Sequence, residues 1–176
     1  FAAAAAISEK LNVIRVARPF RRVLSMPAPR YADLWTAAKA VYKTEPVIAD
    51  GGEVIVYAPH LSEVSYTHGP LIDRVGYHVR DYFLGQWERF RDTPWAILAH
   101  STHVKGAGGY EAGTERPRIR VTLATAIPEE RCRRIDLGYL DPRTIDPEAW
   151  SERARKEDDV LVVHHAGEKL YRLAEG

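Results

Sequence analysis

Four of the seven histidines in this 176-residue chain fall just past short apolar runs that read as buried strands. Glu53–Ala58 leads into Pro59 and His60, then Ser65, Tyr66, Thr67, His68 and Gly69. Trp95–Ala99 leads into His100, Ser101, Thr102 and His103. Ligands of open α/β sheets bind beyond the carboxyl ends of strands, and imidazoles there can move protons or bind substrate. The bland alternative is that each caps a helix or bonds a carbonyl. A metal pair from His100 and His103 needs a turn, because a spacing of three on a strand faces opposite ways. The single Cys132 excludes an internal disulfide and a cysteine-based zinc cluster, and reads as a small buried thiol.

Lys39 differs in kind. It lies in a helical segment with no acid at position 35 or 43 to pair with. Trp35 stands four residues before it and Thr36 three before, so the three share one surface. A cation beside an aromatic ring and a hydroxyl suits a small carboxylate-bearing ligand; an exposed lysine over a buried Trp is the alternative. Lys105 beside Gly106, Gly108 and Gly109 suggests an anion nest, or a loop that closes over a cleft. His164 and His165 follow the last strand and read as structural or surface groups, and His78 as partly buried within a helix.

The elements that must position these groups alternate between strand and helix. The pattern predicts one α/β domain with a mixed, partly parallel sheet flanked by helices. At the start, five alanines favour helix, but Asn12–Ala17 alternates as a strand. The expectation is an amino-terminal hairpin of Phe1–Ile7 with Asn12–Ala17, followed by an irregular stretch through Pro19, Pro27 and Pro29. Helices are expected over Tyr31–Lys43, capped by Asp33, over Pro70–Asp92, after Pro128, and from Asp146-Pro147 to about Arg155. Arg118–Thr125 and Val160–Val163 read as strands, and the tail from Glu168 packs back. Lys plus Arg number 25 against 24 acids, which gives no electrostatic footprint for nucleic acid. Arg131, Arg133 and Arg134 read as a solvated helix face. No apolar run approaches a membrane span, and the composition is that of a cytoplasmic domain.

From about Met26 onward the chain resembles the nickel-pincer lactate racemases and their 2-hydroxy-acid racemase and epimerase relatives. The resemblance runs through Leu34-Trp-Thr-Ala-Ala-Lys39, Ala49-Asp-Gly-Gly-Glu-Val-Ile-Val-Tyr-Ala-Pro-His60, Tyr66-Thr-His-Gly69 and Leu98-Ala-His-Ser-Thr-His-Val-Lys-Gly106. It continues in Arg118–Thr125, Ile127–Arg133 and Leu137–Pro142. It covers the carboxy-terminal domain of that family, with residues 1–25 as a hinge or hairpin from the interdomain region and 26–176 as the domain. A first residue other than Met fits such an excised half.

The resemblance implies a two-domain enzyme whose missing amino-terminal domain mainly holds a nickel-pincer nucleotide and carries paired histidine bases. A 2-hydroxy acid would lose hydride reversibly and pass through a planar 2-keto acid. The family's carboxy-terminal domain supplies a Gln and a Lys three residues apart on a helix. That lysine matches Lys39, expected to face substrate and cofactor, while the Gln position is Thr36 here, which puts lactate itself in doubt. Trp35, Thr36, Lys39, His60 and His68, with His100, Ser101 and His103, are the expected substrate-binding set, and no metal ligand is expected in this half. The partners implied are the substrate and the other domain, with no nucleic acid or membrane, and the isolated half is expected to be inactive. Two other readings stay open: a metal-dependent hydrolase using His60, His68, His100 and His103, and a non-catalytic docking or oligomerisation module.

Overall fold

A computed structural model of the chain describes residues 1–174. The alanine run is helical: α1 (Ala2–Asn12) leads into β1 (Val13–Val16). The expected hairpin therefore does not form. Alanine propensity governs the first segment, and β1 pairs in parallel with Leu170–Leu173 instead. The next stretch, expected to be irregular, is β2 (Phe20–Pro27), an interior strand with Val23 and Leu24 fully buried. Pro19 precedes it and Pro27 ends it, so neither proline removes a hydrogen-bond donor from its middle.

The helix expected over residues 31–43 is the ribbon α2 (Leu34–Ala37) and α3 (Lys39–Tyr42), joined through a helical Ala38. Leu34, Ala37, Ala38 and Val41 are fully buried, and Asp33 is the cap, accepting from the Thr36 backbone N–H. β3 (Ile48–Ala58) follows. The long helix expected from Pro70 is instead α4 (Gly69–Val75), α5 (Arg80–Gly85) and α6 (Trp87–Phe90). Gly76, at φ 77°, takes the left-handed region that ends α4. Tyr77 then drops fully into the core.

The apolar run Trp95–Ala99, expected as a strand, is the first half of α7 (Trp95–Lys105). Its buried positions are Ile97, Leu98, Ser101, Val104 and Lys105, a helical spacing that becomes visible only when the polar half is included. The glycine-rich stretch forms an antiparallel hairpin, β4 (Gly108–Glu111) with β5 (Thr114–Pro117). Then come β6 (Arg120–Thr125), α8 (Glu129–Arg134), β7 (Gly138–Tyr139), α9 (Pro147–Lys156), β8 (Val160–Ala166) and β9 (Leu170–Leu173). The tail packs back as expected, β9 being the partner of β1.

The main sheet has the order β7-β6-β3-β2-β8, with every neighbouring pair parallel. Strands β2, β3, β6 and β7 step outward in sequence to one edge. The chain then returns to lay β8 on the far side of β2. That reversal makes a crevice between the carboxyl ends of β2 and β8, where such folds bind ligands. One sheet face packs Val23, Val54, Val56, Leu123 and Val163 into the main core. The other packs Leu24, Ile55 and Ala124 with Ile145 and half-buried Trp150 of α9. Arg131 is not part of a solvated face: it lies between Glu63 at 2.6 Å and Asp73 at 3.0 Å and ties α8 to α4. No helix among the described residues is long and apolar enough to cross a membrane.

Candidate functional site

The α2–α3 ribbon starts just past the carboxyl end of β2, and Asp33 fixes its start. One Asp33 carboxylate oxygen accepts from the Thr36 N–H at 3.0 Å and from the Thr36 hydroxyl at 2.8 Å. The other accepts from the Tyr66 N–H at 3.2 Å, which ties the segment after β3 to the ribbon. The Thr36 hydroxyl hydrogen is thus engaged within the cap.

Trp35, half-buried, is the centre of an aromatic cluster. The His100 ring stacks on it with centroids 3.8 Å apart and planes 13° from parallel, and His68 tilts against it at 4.5 Å. His100 Nε2 lies 3.1 Å from the Trp35 carbonyl, so that nitrogen carries the proton and donates. Burial lowers the His100 pKa to about 4, so the ring is neutral at neutral pH. Its Nδ1 is buried without a hydrogen-bond partner, as is the Tyr77 hydroxyl, and the two rings are 5.8 Å apart. Orphaned buried polar atoms of this kind call for a functional or solvent account.

One turn beyond Trp35, Lys39 projects beside the end of β8. Among the described residues its ammonium makes no ion pair, and it sits 5.4 Å from the centroid of the Tyr31 ring. Gly167, at φ 95°, is required there. A Cβ built on it would come within 2.9 Å of Lys39 Cβ and 3.2 Å of the Tyr31 hydroxyl. His165, set aside in the sequence as a structural or surface group, is exposed at the end of β8 with an unusual φ of 50°. Lys39, beside the end of β8, thus lies one turn along the ribbon from Trp35, which meets His68 and His100.

The other expected residues divide. His103 is exposed, with its ring 5.8 Å from Tyr42, three residues past Lys39. His100 and His103 are not at a strand end; α7 carries them, and its packing against the ribbon brings His100 to Trp35. His60 is exposed after β3, and no described hydrogen bond or ring contact joins it to the cluster. Ser101 is 2% exposed and does not line the crevice. It donates to the Gly76 carbonyl and accepts from the His78 N–H, both at 2.9 Å, and so holds the break after α4. Ser101→Ala leaves both backbone groups unpaired. It is expected to destabilise the fold by about 2 kcal/mol, read as an earlier midpoint in denaturant. An unmoved midpoint would show that the break is held by packing alone.

His60, His68, His100 and His103 do not form a group with metal-ligand spacing. Among the described residues that spacing occurs at His78, Glu115 and Asp136, whose ligand atoms lie within 4.8 Å of one another. There His78 Nδ1 meets Glu115 at 2.8 Å, and the Lys105 ammonium binds the Asp136 carboxylate at 2.5 Å and its carbonyl at 2.6 Å. Burial works to raise the Glu115 pKa, but contacts with His78 and the Val79 N–H outweigh it and hold the carboxylate below its ordinary value. Lys105 is therefore a 9%-exposed strut, not the cation of an anion nest. Tyr31, Tyr77 and Gly167 were not singled out by the sequence reading, whereas His165 is at the surface as that reading expected. Only Tyr31 left a signal, lying four residues before Trp35.

No protein-family model and no curated protein matches this chain. Among solved structures, a protein from Thermotoga maritima superposes with a TM-score of 0.89 at 34% identity, covering 98% of this chain and 41% of that one. The lactate racemase apoprotein from Thermoanaerobacterium thermosaccharolyticum superposes with a TM-score of 0.62 at 13% identity, covering 99% of this chain and 40% of that one. The chain thus spans about two fifths of the length of either structure. At 13% identity the second likeness concerns the fold, which is shared with part of a lactate racemase.

Proposed function

We propose that the chain is the substrate-facing, carboxy-terminal domain of a two-domain racemase or epimerase acting on a 2-hydroxy acid. The observation that carries this reading is Lys39: an ammonium without an ion-pair partner among the described residues, set at the crevice where the strand order reverses, in a fold shared with a lactate racemase. A carboxylate is the ligand such a cation selects. Lys39 would hold it while the Trp35 ring, fixed by neutral His100, covers one side of the bound acid and excludes water. Tyr66 and Trp95, 71% and 75% exposed, offer ring surface that a covering domain would bury.

The donor set is compatible with a nickel-pincer nucleotide that would be anchored by the other domain and would meet Lys39 from this one. Among the described residues this side of the crevice offers the unpaired Lys39 and an aromatic shelf, and the glycine-rich segment after Lys105 is a closed hairpin, not a phosphate cradle. When bound, that group would supply reversible acceptance of hydride from C2. Lys39 would then hold the carboxylate in place between the two transfers.

The test uses the natural protein, loaded with cofactor, and single enantiomers of 2-hydroxy acids deuterated at C2. The expected product is the opposite enantiomer with deuterium retained, followed by chiral chromatography and mass spectrometry. Exchange of the label with solvent would sink the hydride scheme, and no inversion of any acid offered would sink the racemase reading.

A further inference from the structure

Past the end of the Lys39 ribbon lies a groove of about 390 Å3. Tyr42 and Glu45 form one wall, Thr102 and His103 of α7 another, and Arg80 and the backbone at Gly106–Gly108 close it. Tyr42 follows Lys39 by three residues, so the two side chains occupy neighbouring positions on the ribbon surface. A three-carbon hydroxy acid would leave this volume unused.

The charges in the groove are unequal. The Glu45 carboxylate is already balanced: it accepts from Arg118 at 2.6 Å and 3.2 Å and faces the Ala107 N–H at 3.4 Å. Arg80 is different, with a side chain 79% exposed and, among the described residues, only its neighbour Asp81 paired with it at 3.1 Å. Such an exposed pair is weak and gives way to a better-placed anion. The His103 ring is exposed. Burial, with the nearby Tyr31, raises the Tyr42 pKa, so its hydroxyl keeps its proton and can donate. The Thr102 hydroxyl hydrogen is held by the Ala99 carbonyl. Three donors therefore remain for a ligand: a guanidinium, an imidazole and a phenol.

We propose that this groove is a second carboxylate subsite, which makes the preferred substrate a dicarboxylic 2-hydroxy acid. Arg80 grips the distal carboxylate, with His103 and Tyr42 as its other donors, while Lys39 holds the proximal one. This deepens the racemase reading and rests on it for the reaction, though not for the binding. Arg80 offers a planar fork matched to a carboxylate, which a polyol or an apolar tail would leave unpaired.

Calorimetric titration of the natural protein with succinate, butyrate and inorganic phosphate tests it without any turnover. Succinate is expected to bind at least about tenfold more tightly than butyrate. Arg80→Gln should abolish that preference and leave butyrate binding in place, and His103→Gln should reduce it. Arg80 is exposed, so its loss does not threaten the fold. Equal affinity for succinate and butyrate, or a preference that survives Arg80→Gln, would overturn the subsite. Phosphate binding more tightly than succinate would overturn the assignment to a dicarboxylic acid. An Arg80-dependent preference without racemisation would refute the reaction alone, and racemisation without the preference would refute the subsite alone.

Discussion

Replacing Lys39 with alanine is expected to lower turnover of the natural protein at least about tenfold, equivalent to roughly 1.4 kcal/mol of barrier. The substitution is clean for structural reasons. Lys39 has no ion-pair partner among the described residues, so no buried charge is stranded when it goes. Its close contact with Gly167 is made through Cβ, which alanine keeps. Alanine is also the better helix former, and the lost interaction with the Tyr31 ring is worth only about 0.5–1 kcal/mol. Stability should stay within about 1 kcal/mol of the parent while kcat/KM falls. Unchanged turnover would remove Lys39 from the mechanism, and the substrate-facing reading of this domain with it.

Acid should weaken the fold through His100. The unfolded chain binds a proton on this residue near pH 6.5, whereas burial holds the folded ring unprotonated down to about pH 4. Between those values the unfolded state carries more protons, so stability falls as pH is lowered. The full contribution is present above about pH 6.5. It is lost progressively toward pH 4, by about 3 kcal/mol in all, and this residue adds no further loss below that. His100→Gln keeps a polar group near the Trp35 carbonyl but does not titrate. Denaturant unfolding of the two proteins at a series of pH values should therefore show a steeper decline from pH 6.5 to 4 in the parent. Parallel curves would mean that His100 is solvated and does not clamp Trp35. Because that stack holds Trp35, its indole fluorescence in the folded parent should shift only as pH falls through about 4, where the buried ring takes up its proton, and not in the variant.

Much of the frame could be read locally. The strands after Gly52, after Arg118 and at Val160 each declare themselves by runs of β-branched residues, and Asp33 and Asp146 by their position before helices. Both aspartates do cap, and Asp146 accepts from the N–H groups of Glu148 and Ala149. Cys132 is the buried thiol expected, with its pKa raised to about 11 by burial. The misreadings share a cause. Trp95–Ala99 is apolar over a stretch too short to tell period two from period 3.6, and only packing against the ribbon decides for helix. Phe20–Pro27 looked irregular because of its prolines, yet they stand at its limits, where a parallel strand tolerates them. The break at Gly76–Val79 is held by Ser101 from another helix, and no local pattern records that bond.

For the site, the sequence by itself determined the chemistry available: one unpaired lysine a turn past a tryptophan, and imidazoles in quantity with a single cysteine. Side-chain type and helical spacing are local properties, while the role expected of Lys39 came from the family resemblance. Tertiary structure decided which of these groups meet. It stacked His100 on Trp35 and buried Ser101 as a strut. It set Lys39 against Gly167, 128 positions away in the chain. Those outcomes follow from the return of β8 to the side of β2, a pairing fixed by burial of both sheet faces together and by no single stretch of residues.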